Sequence, residues 1–212
     1  MSDQPDDRPV FTIVMGCNGV GKSVWKRANY DRLPNRYFDQ DSVAGGIGDW
    51  NSESARERTR EIVDAEIDKA IRDRYDFGVE STYSGRPGPA LMERARKAGY
   101  RIEGIYLGTD SPEINAERVD HRVRTHTGHR IDTRRLPERY KYSLSNLRKT
   151  GEQFDQLEIL DNSAHNTDRR ATPTEQLVLE NGVLQWQADE LRGWCAEWLE
   201  RFQQRKASQR RG

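Results

Sequence analysis

Apolar positions come along this chain in short runs separated by long polar stretches, and the spacing within each run predicts an element. Val10–Met15, "VFTIVM", is an unbroken β-branched and aromatic run, the pattern of a parallel strand buried on both faces. "KSVWKRANYDRL" predicts a helix ended near Pro34, and "RYF", Arg36–Phe38, a short second strand. From Ser54 to about Arg74 helical spacing takes over, with Ile62, Ala65 and Ala70 on one line and Ile67 with Ile71 on another. Ser54 and Glu57 read as its capping box. Phe77–Glu80 then predicts a strand, "STYSGRPG" a loop, and "ALMERARKAG" a helix closed by Gly99. Tyr100–Gly108 is a further strand, followed by a helix with Ser111 at its N-cap and Pro112 at its first position. Pro137–Lys149 predicts a helix and Leu157–Asp161 a strand. "QLVLENGVLQW" predicts a hairpin turning at Asn181-Gly182. The last helix, Ala188–Arg205, carries Leu191, Trp194, Cys195, Trp198, Leu199 and Phe202 on one face, and its tryptophans are expected to cover the sheet.

Strand, loop and helix thus alternate about every 25 residues, which predicts an α/β fold with a doubly wound parallel sheet flanked by helices. Residues 1–9 read as a loose tail, 10–205 as one domain with a basic segment at about 122–140, and 206–212 as a basic tail. Composition adjusts this picture in one respect. Hydrophobic and charged residues each make up 33%, so the core is expected to be thin and the helix faces heavily solvated. The 35 basic and 35 acidic residues balance, which argues against a chain built to bind nucleic acid or membrane in bulk. Two cysteines, Cys17 and Cys195, fit neither a disulfide framework nor a zinc pattern. Without a run of 18 apolar residues, and with the acidic start "MSDQPDDRPV", the expected setting is reduced, soluble and cytoplasmic.

Candidate chemistry begins where the first strand ends. Gly16, Gly21, Lys22 and Ser23 fit G-x-x-x-x-G-K-[ST], a loop whose glycines let backbone N–H groups face one anion. Gly16, Asn18, Gly19, Gly21, Lys22 and Ser23 are therefore the expected ATP-binding set, with Lys22 on the β- and γ-phosphates and Ser23 on Mg²⁺. The motif predicts a strand before it and a helix after it, and both patterns are there. "FDQDS" places Asp39 and Asp41 after the second strand, where a carboxylate could take the proton of an attacking hydroxyl or merely cap a turn. "VESTYSGR" offers Glu80, Ser81 and Thr82, groups suited to a polyhydroxylated substrate, or alternatively to capping the next helix. Between Arg118 and Lys149 ten Lys or Arg face three Asp or Glu. That local excess suits a lid closing over a triphosphate, although a nucleic acid or plain solvent would also satisfy it. Arg122, Arg124, Arg130, Arg134, Arg135 and Arg139 are the candidates, with Arg124 and Arg134 put forward among the catalytic residues and no single arginine assigned to the transferring phosphoryl group. His121, His126 and His129 lack the spacing of a metal site and are read as lid or surface residues.

Taken in order, "GCNGVGKS", "FDQD", "VESTYSGR", "SPEINAERVDHRV" and "GHRIDTRRLPERY" resemble the zeta-toxin-like P-loop kinases over about residues 10 to 190. Zeta toxins phosphorylate the sugar 3′-hydroxyl of UDP-N-acetylglucosamine. The resemblance implies ATP and Mg²⁺ at Lys22 and Ser23, Asp41 as the base, and the sugar nucleotide at Glu80 and Thr82. It also implies an antitoxin protein as partner, although similar proteins occur outside toxin–antitoxin pairs. Cys17 or Asn18 stands where the family often has Pro, and Ser81 where it has Thr; Ser81 keeps the hydroxyl. The expected function is therefore an ATP-dependent small-molecule kinase. The alternatives are a nucleotide-gated module engaging nucleic acid or protein through its basic segment, and a polynucleotide 5′-hydroxyl kinase.

Overall fold

The structure, a computed structural model, describes residues 6–39, 52–125, 132–164 and 172–209. Its first strand, β1 (Val10–Met15), is the continuous apolar run. Phe11, Ile13 and Met15 point to one face of the sheet and Val14 to the other, and all four are fully buried. A strand covered on both sides cannot alternate apolar with polar, which is why the run is unbroken.

α1 (Lys22–Ala28) follows the glycine loop and gives way to a 3₁₀ turn at Tyr30–Arg32. β2 (Tyr37–Phe38) is the short second strand. α2 (Glu53–Asp73) starts one residue before the expected cap, because Ser52 Oγ, rather than Ser54, accepts the Ala55 N–H at 3.2 Å. With Ala55 at the position a capping-box glutamate would need, the Ser54–Glu57 box does not form. β3 (Phe77–Ser81), α3 (Pro87–Lys97) and β4 (Arg101–Gly108) come next, with Gly99 at φ 79° turning the chain between the last two. α4 (Pro112–Arg124) has Ser111 at its N-cap and Pro112 in its first turn, as expected. α5 (Leu136–Thr150), β5 (Gln156–Asp161), β6 (Thr174–Glu180), β7 (Val183–Gln187) and α6 (Gly193–Gln209) complete the order.

Among the described residues seven strands form one sheet in the order β2-β3-β1-β4-β5-β6-β7. The five from β2 to β5 are parallel. The hairpin β6–β7 extends the β5 edge antiparallel, so the sheet is mixed rather than wholly parallel. Asn181 and Gly182 both take positive φ, 49° and 69°, as a two-residue turn between twisted strands requires. α6 begins five residues later than expected, because Gln176 occupies the intervening backbone: its carbonyl accepts from Ala188 N and its side-chain oxygen from Arg192 N.

The core lies mainly on one face, where α2, α3, α5 and α6 cover the sheet. Phe11 stacks on Phe77 at 4.6 Å, and Trp194, Trp198 and Phe202 of α6 pack onto the same cluster as expected. The opposite face has a smaller cluster around Val14, Trp25, Ile105 and Leu107. Beyond it Glu158 projects from β5 and is held by Arg32 at 2.6 Å. A sheet with one thickly and one thinly covered face needs few apolar residues, in keeping with a mean hydropathy of −1.02.

Candidate active site

The parallel strands deliver their chemistry at one edge. Register pairs Val14 with Glu80 and Met15 with Ser81, so the glycine loop and the loop after β3 leave the sheet side by side. Gly16 N–H donates to Ser81 O at 3.2 Å and ties them at their base. Gly16 (φ 139°) and Gly19 (φ 82°) lie in the left-handed region, and a Cβ on either would come within 2.3 Å of a backbone oxygen, of Leu107 and Asn115 respectively. Only glycine satisfies both demands, which leaves the loop as bare backbone curled on itself.

Lys22 is 7% exposed; its Nζ donates to Gly16 O at 2.7 Å and Cys17 O at 3.3 Å. Glu80 Oε1 lies 3.8 Å from the same nitrogen. One turn along α1, Lys26 pairs with Asp39 and stands 3.9 Å from Glu80 Oε2. Two lysines and two carboxylates from three segments thus converge beside the loop. Ser23 is half-buried in the first turn of α1. Beyond Glu80, the Thr82 and Ser84 hydroxyls are hydrogen-bonded at 3.0 Å, and Ser81 Oγ accepts from Tyr83 N.

α5 closes the other side. Arg139 Nη1 donates to Asn18 Oδ1 at 3.0 Å, and the Tyr140 hydroxyl to Thr109 O at 2.6 Å. Leu136 and Val119 bury Cys17, and that burial pushes its thiol pKa up. Just past β5, Asn162 Nδ2 donates to Val20 O at 2.7 Å. Asp161 beside it is buried, accepting from Trp194 Nε1 at 2.8 Å and from Ser163 Oγ.

The zeta toxin sequence model matches residues 1–170. The chain belongs to the zeta toxin family. An uncharacterized protein of Haemophilus influenzae is 30% identical over 110 residues, covering 52% of this chain and 78% of that one. Among solved structures, one from the PezAT chromosomal toxin–antitoxin system of Streptococcus pneumoniae overlays with TM-score 0.56 at 16% identity, covering 97% of this chain and 88% of that one. A chain of the AvrRxo1-ORF1:-ORF2 complex with ATP gives TM-score 0.62 at 11% identity, over 92% of this chain and 63% of that one. At such identities the overlays speak for the fold, and the fold is that of a P-loop kinase. The zeta toxin match ends before β6, so the hairpin and α6 lie outside the matched span.

Within this zeta toxin fold the expected loop residues and Glu80, Ser81 and Thr82 share the one edge. Asp41, Arg130, His126 and His129 lie outside the described residues. The basic segment divides. Arg124 ends α4 exposed, and Arg134, its side chain 88% exposed, pairs with Asp132 at 2.9 Å, whereas Arg139 reaches the loop. Lys26 went unnoticed in the sequence, although its place four residues after Lys22 puts it on the same face of α1. Tyr83 and Asn146 were also missed; no motif flags either.

Proposed function

We propose that this protein is an ATP-dependent kinase that transfers the γ-phosphoryl group to a hydroxyl of a small polyhydroxylated acceptor, a UDP-N-acetyl sugar being the leading candidate. The observation that carries this reading is the 3.8 Å approach of Glu80 to Lys22. It sets a hydroxyl-binding carboxylate against the side chain that the loop motif assigns to the γ-phosphate. Bare backbone at Gly16 and Gly19 fits a triphosphate, and the Ser23 hydroxyl fits a Mg²⁺ ligand. The ion would be held through Ser23 and phosphate oxygens. Bound ATP supplies the phosphoryl group, and Mg²⁺ offsets its charge.

Each side chain then has a task. Lys22 exchanges the Gly16 and Cys17 carbonyls for phosphate oxygens. Arg139, anchored on Asn18, lends positive charge to the transferring group from the opposite side; Arg124 and Arg134 would have to swing inward to join it. Glu80 and Thr82 orient the acceptor through its hydroxyls. Asp39 is engaged by Lys26, and this supports Asp41 as the base that takes the acceptor proton. An antitoxin partner is proposed on family membership and on the PezAT likeness. Asp41→Asn is expected to keep ATP affinity and lose most phosphoryl transfer. Undiminished transfer in that variant would sink the assignment.

A further inference from the structure

Between Glu80 and α3 the chain runs through Ser81–Arg86, with Tyr83 at φ 55°, a left-handed conformation that a bulky residue adopts only under constraint. The constraint comes mostly from α5. Asn146 Nδ2 donates to Tyr83 O at 3.0 Å and to Gly85 O at 3.3 Å. Ser143 Oγ donates to Thr82 O at 2.8 Å and accepts from the Tyr106 hydroxyl at 3.1 Å. The Tyr83 ring, 1% exposed, shares a hydrogen bond with Thr150 at 2.8 Å, and Gly88 leaves room for it, since a Cβ there would stand 2.8 Å from the ring. Three carbonyls, of Thr82, Tyr83 and Gly85, that a loop normally turns to water are thus spent on one helix. Arg139, Ser143, Asn146 and Thr150 recur every three or four residues and form a single stripe along α5. Its first member grips Asn18 of the glycine loop and the other three grip the loop after Glu80.

We infer that Asn146 and Ser143 are positioning residues for the acceptor: by fixing the backbone at Thr82–Gly85 they set where the Thr82 hydroxyl stands relative to Glu80 and the glycine loop. The inference rests on the assignment of Glu80 and Thr82 to the acceptor. It adds that α5 spaces donor and acceptor loops as one rigid ruler. Loosening its lower stripe therefore impairs acceptor binding and leaves ATP binding intact.

The test compares wild type with Asn146→Asp and Ser143→Ala, using Ser145→Ala on the same helix as a control. Amide hydrogen exchange across Thr82–Gly85, ATP affinity, and KM and kcat with UDP-N-acetylglucosamine as acceptor probe are measured. In Asn146→Asp and Ser143→Ala, loss of a net hydrogen bond predicts exchange and acceptor KM each raised about tenfold, with ATP affinity held within about twofold. The control should match wild type throughout. Unchanged exchange in the two variants overturns the inference. So does a matching loss of ATP affinity, which would mean general unfolding, or a kcat fall with acceptor KM unmoved. If wild type transfers nothing to the probe, the UDP-sugar reading fails, and the exchange and ATP measurements still decide the role of α5.

Discussion

Lys22 and Arg139 both reach the glycine loop, one bonded to its first carbonyls and the other to the Asn18 side chain. Both are cations beside the loop to which the proposed function assigns the triphosphate. Arg134 is different: its fork is already engaged by Asp132, two residues away, on an exposed turn. Arg139→Ala is therefore expected to lower transfer about a hundredfold or more, a fall larger by about tenfold than that in Arg134→Ala or Arg124→Ala. Steady-state rates at saturating ATP check this, and equal losses in all three variants would return the role to the exposed arginines.

At the scale of elements, patterns that depend on nearest neighbours in sequence were legible and those that depend on partners across space were not. β1 announced itself because both faces are buried, and the β6–β7 turn because Asn181-Gly182 suits two positive φ values. The glycine loop could be read because its backbone conformation leaves no alternative residue at Gly16 or Gly19. The cap of α2 was misplaced by two residues, since Ser52 and Ser54 are equally good caps on paper and only the helix start decides between them. Ser52→Ala should thus cost about 1 kcal/mol of stability and Ser54→Ala under about 0.5 kcal/mol, measurable by chemical denaturation. The late start of α6 was hidden because Gln176, a strand residue, takes the N–H groups that would have begun it. Asn146 was hidden for the same reason: an asparagine within a helix pattern looks like a solvated position until the loop it holds is seen beside it.

Among the described residues one face of the sheet holds most of the buried apolar side chains, and the carboxyl edge gathers Lys22, Lys26, Asp39 and Glu80. Burial keeps several protons on the folded chain. The Cys195 thiol is pushed from 9.0 up to about 12 by burial and then by Asp161, and burial also raises the Tyr83 and Tyr106 phenols well above 10.0. Between pH 9.0 and about 12 the folded state holds a Cys195 proton that the unfolded chain has released. Stability contributed by these groups is therefore complete below about pH 9 and declines above it, by up to about 1.4 kcal/mol per pH unit for each group. Thermal unfolding followed from pH 7 to 11 checks the sign, and a melting temperature that rises across that range would contradict it. At the edge, the family and the fold support a kinase, and the proposed transfer to a hydroxyl rests on the convergence of Lys22, Lys26, Glu80 and Thr82. The most direct test follows label from γ-labelled ATP into a panel of UDP-sugars, free sugars and 5′-hydroxyl oligonucleotides, with Lys22→Ala and Asp41→Asn alongside. Label on a UDP-sugar hydroxyl with wild type, and on nothing with either variant, is the predicted result. Label on the oligonucleotides, or ATP bound and never transferred to any hydroxyl, would contradict it.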